Sequence, residues 1–194
     1  MGSLFPLQTK RLILRDLRAS DESAIHEYAS DPAVARLMVW GPNTPEMTHE
    51  FLGRALAAQG QEPQNSMEPA IELKSDSRMI GSVGLRIKDE ANRTADMGWV
   101  LNRSYWGRGY MTEAAGAMLN LAFRKLNLHR VWATCDPRNH GSFRVMEKIG
   151  MRREALFLKD KFEKGEWRDS YLYAVLEEEW LAVNPLTAPT EKDR

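Results

Sequence analysis

Tyr105-Trp106-Gly107-Arg108-Gly109-Tyr110-Met111-Thr112-Glu113-Ala114 (YWGRGYMTEA) is the stretch on which the fold turns. Leu101 closes a strand-like run and Tyr110 opens a helical one, so Gly107-Arg108-Gly109 links the two. The first N–H groups of a helix have no carbonyl partner within it. Glycines on either side of Arg108 let the backbone approach a ligand closely. With the positive end of a helix dipole behind it, such a nest suits a phosphate or pyrophosphate. Arg108 could pair with a further phosphate. A tight turn without a ligand would use the same two glycines, so spacing alone leaves both readings open. Other phosphate-binding patterns fit less well. The nucleoside triphosphate loop needs Gly-Lys-Ser/Thr, which is absent, and the dinucleotide fingerprint needs a third glycine where Thr112 stands.

Upstream, residues 95–101, 79–88 and 69–74 read as three strands separated by linkers short enough for antiparallel hairpins. Before this meander, residues 11–17 (RLILRDL) alternate apolar and charged side chains, as a half-buried strand does. Residues 20–30 predict a helix, with Ser20, Ser23 and an acidic first turn as its N-terminal signal and Pro32 as a stop or a new start. Trp40-Gly41-Pro42 breaks the chain, and residues 46–59 form a second helix with Phe51, Leu52 and Leu56 on one side.

Downstream, Met111, Ala115, Met118, Ala122 and Leu126 form the stripe of a helix over residues 110–126, and residues 130–135 form a fifth strand. Asn139 is the expected N-cap of a helix reaching Ile149, with Gly150 ending it. Residues 153–162 and 167–176 flank Lys164-Gly165 as a terminal hairpin. The order predicts an α/β domain over residues 1–183: one mixed sheet of about seven strands with helices on both faces. Residues 184–194 are expected to form a disordered polar tail.

The chain has 194 residues, 43% hydrophobic and 28% charged, within the range of ordinary soluble domains, and has no apolar run long enough to span a membrane. Its 27 basic and 27 acidic residues cancel, which argues against nucleic acid as a partner. The opening MGSLFPLQTK lacks a signal peptide's apolar core, and the single Cys135 cannot form an intramolecular disulfide, so a cytoplasmic setting is expected. His26, His49, His129 and His140 are scattered without metal-ligand spacing, so no metal is expected.

These segments, TKRLILRDL, ADMGWVLNRSYWGRGYMTEA and NHGSFRVMEKIGM followed by Glu154, resemble the GNAT acyltransferase superfamily and within it the RimJ/RimL-like branch. The resemblance covers nearly the whole chain. It implies a mostly antiparallel sheet in which the fourth and fifth strands splay apart, with the pantetheine arm of acetyl-CoA in the wedge beside Trp99, Val100 and Leu101. Its pyrophosphate would rest on the turn formed by Trp106, Gly107, Arg108, Gly109, Tyr110, Met111 and Thr112. Asn139 would approach the pantetheine arm and Ser142 the thioester sulfur. Two departures stand out: Met111 replaces the usual Gly or Ala, and Met146 stands where many members carry a tyrosine acid.

The implied reaction is direct attack of a primary amine, of a protein N-terminus or a small molecule, on acetyl-CoA. It needs a neutral amine, a donor for the oxyanion and a proton for the leaving thiolate. A backbone N–H near Val100 or Leu101 would serve the oxyanion and Ser142 the thiolate. Asp96 and Glu154 are the candidate bases, though each could equally be a solvated or ion-paired carboxylate. Met38, Trp40 and Phe51 are expected to wall the acceptor pocket. Cys135 reads as a buried strand residue rather than a nucleophile. A non-catalytic acyl-CoA-binding module is the rival reading, and an exposed sheet edge leaves a homodimer open.

Overall fold

The period-2 and period-3.6 runs resolve into one sheet and six helices in a computed structural model that describes residues 4–59 and 61–185. Strands β1 (Leu7–Gln8) and β2 (Leu12–Arg15) lead into helices α1 (Glu22–Ala29), α2 (Pro32–Ala35) and α3 (Pro45–Gln59). The strands β3 (Ser66–Met67), β4 (Ala70–Leu73), β5 (Met79–Asp89) and β6 (Thr94–Leu101) follow. Next come α4 (Tyr110–Arg124), β7 (Arg130–Cys135) and α5 (His140–Lys148). The hairpin β8 (Arg152–Glu163) and β9 (Glu166–Leu176) then leads to α6 (Glu177–Val183).

The strands lie in the order β1-β2-β4-β5-β6-β7-β9-β8, with β3 also on β5. All pairs are antiparallel except β6 with β7. The expected mixed, mostly antiparallel sheet is thus present, with nine strands where about seven were expected. The additions, β1 and β3, are two residues long, too short for alternation to register in sequence. Helix α6 was also not anticipated. It docks on α4, where Trp180 Nε1 donates to Asn120 Oδ1 at 3.1 Å.

Two apolar layers hold the sheet. On one face, the α4 residues Met111, Ala115, Met118 and Ala122 pack in a cluster with Val83, Leu85, Met97 and Val131. Each buried Met or Leu of that layer contributes about 1.5–3 kcal/mol. On the other face, Ile25, Tyr28 and Leu52 from α1 and α3 cluster with Ala70 and Met79. Pro32 proves to be a new start, because the Asp31 side chain accepts from Ala33 N–H and caps α2. Neither Ser20 nor Ser23 caps α1. That position belongs to Asp21, whose carboxylate instead accepts two hydrogen bonds from the Arg15 guanidinium.

The parallel pair β6/β7 is in register only from Thr94 with Arg130 to Asp96 with Trp132. Beyond Asp96, β6 keeps β5 as its neighbour while β7 keeps β9, so the two part as a wedge. The terminal hairpin turns at Lys164 and Gly165, both at positive φ, which matches the right-handed twist of the flanking strands. Lys164 Nζ then donates to the carbonyls of Ala35 (2.6 Å) and Trp40 (2.9 Å), pinning the hairpin tip to the α2 region. Of the expected tail, residues 186–194 lie outside the described residues.

Candidate active site

Gly107 and Gly109 have φ of +73° and +77°, a region costly for residues with a Cβ. Gly109 is the N-cap of α4, and the helical bonds begin with Glu113 N–H on the Gly109 carbonyl at 3.1 Å. The N–H groups of Tyr110, Met111 and Thr112 therefore precede the first intrahelical bond and point out of the helix start. Trp106 folds back over β6, its Nε1 donating to the Leu101 carbonyl at 2.7 Å. Arg108 is exposed and lies 5.7 Å from the centre of the Tyr105 ring, and its side chain does not line the cavity beside the turn.

A rivet below the turn was not foreseen. Arg11 Nη1 donates to the Arg108 carbonyl (2.9 Å), and its guanidinium stacks 4.3 Å from the Tyr110 ring centre. Its Nε donates to Glu113 (2.6 Å), which also accepts from the Thr9 hydroxyl and the Arg11 N–H. Burial alone would raise the Glu113 carboxyl, but these three donors hold it below the usual range. Sequence could have flagged Glu113 only as an acidic first-turn residue. Its partners are a hundred residues away.

The wedge opens into a cavity of about 1330 Å³, lined on one wall by Trp99, Val100 and Leu101 and at its mouth by Trp106, Gly107, Gly109, Tyr110, Met111 and Thr112. It exceeds the ~300–1,000 Å³ of most ligand pockets, room enough for a long donor plus an acceptor. Asn139 and Ser142, on the α5 start, form the opposite wall. Asn139 Oδ1 accepts from Ser142 N–H at 3.1 Å, the expected N-cap, so both side chains sit at one helix end. Beside them the Cys135 thiol is pushed up to about 11, mainly by burial, with the Ser142 hydroxyl bond pulling it down. At neutral pH it is a thiol, not a thiolate. Met146 is buried in the core.

The charged candidates are held elsewhere. Asp96 lines the cavity, but Arg86 grips it with Nε (3.0 and 3.2 Å) and Nη2 (2.7 Å). Glu154 is not among the lining residues. It pairs with Arg130 and with Arg152 (2.7 Å), which hold its carboxyl below the usual range. Met38 lines the cavity, whereas Trp40 and Phe51 pack against the cluster under α1 and α3. Their place is taken by β8 and β9, which contribute Phe157, Lys161, Arg168 and Leu172. Periodicity identified those strands without indicating how far the hairpin reaches over the wedge. No cluster of three or more His, Cys, Asp or Glu side chains able to hold a metal occurs among the described residues, and none of their helices is long and apolar enough to cross a membrane.

Comparison with known proteins agrees with this fold. Residues 11–152 match the family described as an acetyltransferase (GNAT) domain. The chain is 39% identical over 174 residues to the uncharacterized N-acetyltransferase YnaD of Bacillus subtilis (strain 168), covering 90% of this chain and 98% of that one. It superposes on an acetyltransferase (GNAT family) from Bacillus anthracis with a TM-score of 0.80 at 37% identity, over 90% and 100% of the two chains. RimJ of Mycobacterium smegmatis, solved with CoA-disulfide, superposes with a TM-score of 0.75 at 25% identity, over 89% and 88%.

Proposed function

Because this chain belongs to the GNAT acetyltransferase family, with acetyl-CoA as its donor, we propose that it acetylates a primary amine by direct attack in a ternary complex, as a RimJ/RimL-like member. The amine is a protein N-terminus or a small molecule. The observation that carries this reading is that one cavity joins the helix-start N–H groups of α4 to the Ser142 hydroxyl across the wedge. The Tyr110, Met111 and Thr112 amides hold the pyrophosphate, and the backbone N–H of Leu101, which the β5/β6 register turns away from β5 while that of Val100 faces it, stabilises the oxyanion. Ser142 supplies a proton to the departing thiolate. The protonated Cys135 supports direct attack over an acyl-enzyme, and a lone reduced cysteine goes with a cytoplasmic setting.

An α-amino group, with a pKa of about 7.7–8.0, loses its proton roughly 3 to 4 kcal/mol more easily than a lysine at about 10.4. Weakly basic amines are therefore the preferred acceptors. Thermal unfolding with acetyl-CoA, using NAD and ATP as controls, tests the donor: acetyl-CoA at 100 times Kd stabilises by about 2.7 kcal/mol. Free-thiol release on adding amines tests the reaction. Stabilisation without thiol release across an amine panel would identify a binding module instead.

A further inference from the structure

Direct attack needs a group to take the ammonium proton, and the Asp96 and Glu154 carboxylates are both occupied by arginines. Across the same sheet face lies one that is not. Glu68 sits between β3 and β4, half-buried, with Oε1 accepting from the Ser82 hydroxyl at 2.7 Å. Its other oxygen, Oε2, occupies the space a side chain would fill at Gly84, so that an added Cβ there would overlap it. Gly84 is directly opposite Gly98; Glu68 and Gly84 do not themselves line the cavity, but Gly98 does, just past the point where β6 leaves β7, so the carboxyl lies one strand behind the wall. Opposed residues on antiparallel strands lie about 4.5–5.5 Å apart, and neither glycine carries a side chain there; the nearest group over Gly98 is Arg86 Nη2, 3.6 Å from the place a Cβ would take.

We propose that Glu68 is the general base of this acetyltransferase, accepting the acceptor's ammonium proton across the glycine pair Gly84 and Gly98. The inference rests on the acetyltransfer reading above. The ammonium gives one proton to the Glu68 carboxylate, which later releases it to solvent. The neutral nitrogen bonds to the thioester carbon, and the C–S bond breaks with its electron pair on sulfur. The second nitrogen proton passes to solvent as the amide forms, and the thiolate is protonated through Ser142, so that one proton is released net.

The surroundings suit the task. Burial raises the Glu68 carboxyl, with Ser82 and the charge of Arg86 opposing and Asp96 on β6 adding to the rise. A carboxyl raised toward neutrality is a better base at physiological pH. From α1, the buried Tyr28 hydroxyl faces the same spot, itself pushed up by burial and by the Glu68 charge, so it remains protonated.

The test is Glu68→Gln, which keeps the size and the Ser82 acceptor. With acetyl-CoA and a reactive amine, kcat is expected to fall about 100-fold, the KM for acetyl-CoA to stay within about 2-fold, and the acidic limb of the pH–rate profile to disappear. Because burial raises this group, its charged form opposes folding above that raised pKa. Thermal stability at pH 8 should therefore hold or rise in the variant, whereas a structural tether would lower it. Glu68→Asp should recover part of kcat and retain the limb. Glu68→Gln with kcat within 3-fold and the same limb overturns the assignment, as does transfer of the limb's loss to Asp160→Asn, a carboxylate on the hairpin wall. If the wild-type protein binds acetyl-CoA but acetylates no amine, it is the acetyltransfer reading that fails.

Discussion

At the end of the cavity proposed to hold the cofactor, Trp106, Gly107, Gly109, Tyr110, Met111 and Thr112 come from one unbroken stretch of chain. The end proposed for the acceptor is built from the segment after α1 and from a hairpin whose Lys164 grips the Ala35 carbonyl 129 residues away. The first end is backbone: positive-φ glycines and a helix start, which tolerate little change. The second is side chains on a long hairpin, open to substitution without loss of the fold. A common donor and a variable acceptor are what this division of labour permits.

Substitutions at the two ends should therefore fail differently. Gly109→Trp puts a bulky side chain where φ is +77° and where the Arg11 guanidinium already lies 3.5 Å from the Cβ position. Acetyl-CoA should no longer stabilise the protein, and retention of the shift in a thermal scan would move the phosphate site elsewhere. Ser142→Ala lies between the two ends. Turnover should drop tens-fold with acetyl-CoA affinity kept within about 3-fold, and unchanged turnover would remove its acid role.

Glu113→Gln weakens the rivet under the turn, and acetyl-CoA affinity should fall about tenfold, equivalent to about 1.4 kcal/mol, in a binding titration. Since the folded protein holds the Glu113 carboxyl down, its contribution is present above the ordinary carboxylate range and is lost as pH falls through the depressed value. Unfolding curves of wild type and variant should converge on acidification, and a constant gap would show that charge is not the cause. The smallest effect is expected at the acceptor end. Lys164→Met removes the hairpin's two bonds to Ala35 and Trp40 and should raise the KM for the amine a few-fold, leaving that for acetyl-CoA alone.

The acceptor wall shows why legibility was uneven. Trp40 and Phe51 looked like pocket residues because they are large and precede the meander, yet they pack, partly buried, against the cluster under α1 and α3. Amphipathic spacing reports that a residue turns inward and is silent on whether it meets core or cavity. Asp96 was found on the right strand, but its engagement by Arg86 follows from strand register. Glu68 carried no signal at all, for a glutamate before a proline reads as a strand entrance.

By itself, the sequence determined the types of the longer elements, the helix-start turn at Gly107 and Gly109, and the Asn139 cap, because each depends on φ preference or hydrogen bonding within a few residues. Tertiary structure alone decided what Arg11 supports, where the β8–β9 hairpin comes to rest, and that Gly84 and Gly98 stand opposite each other beside Glu68. Those relations join residues distant in the chain. They are set by strand register and packing, which no local preference encodes.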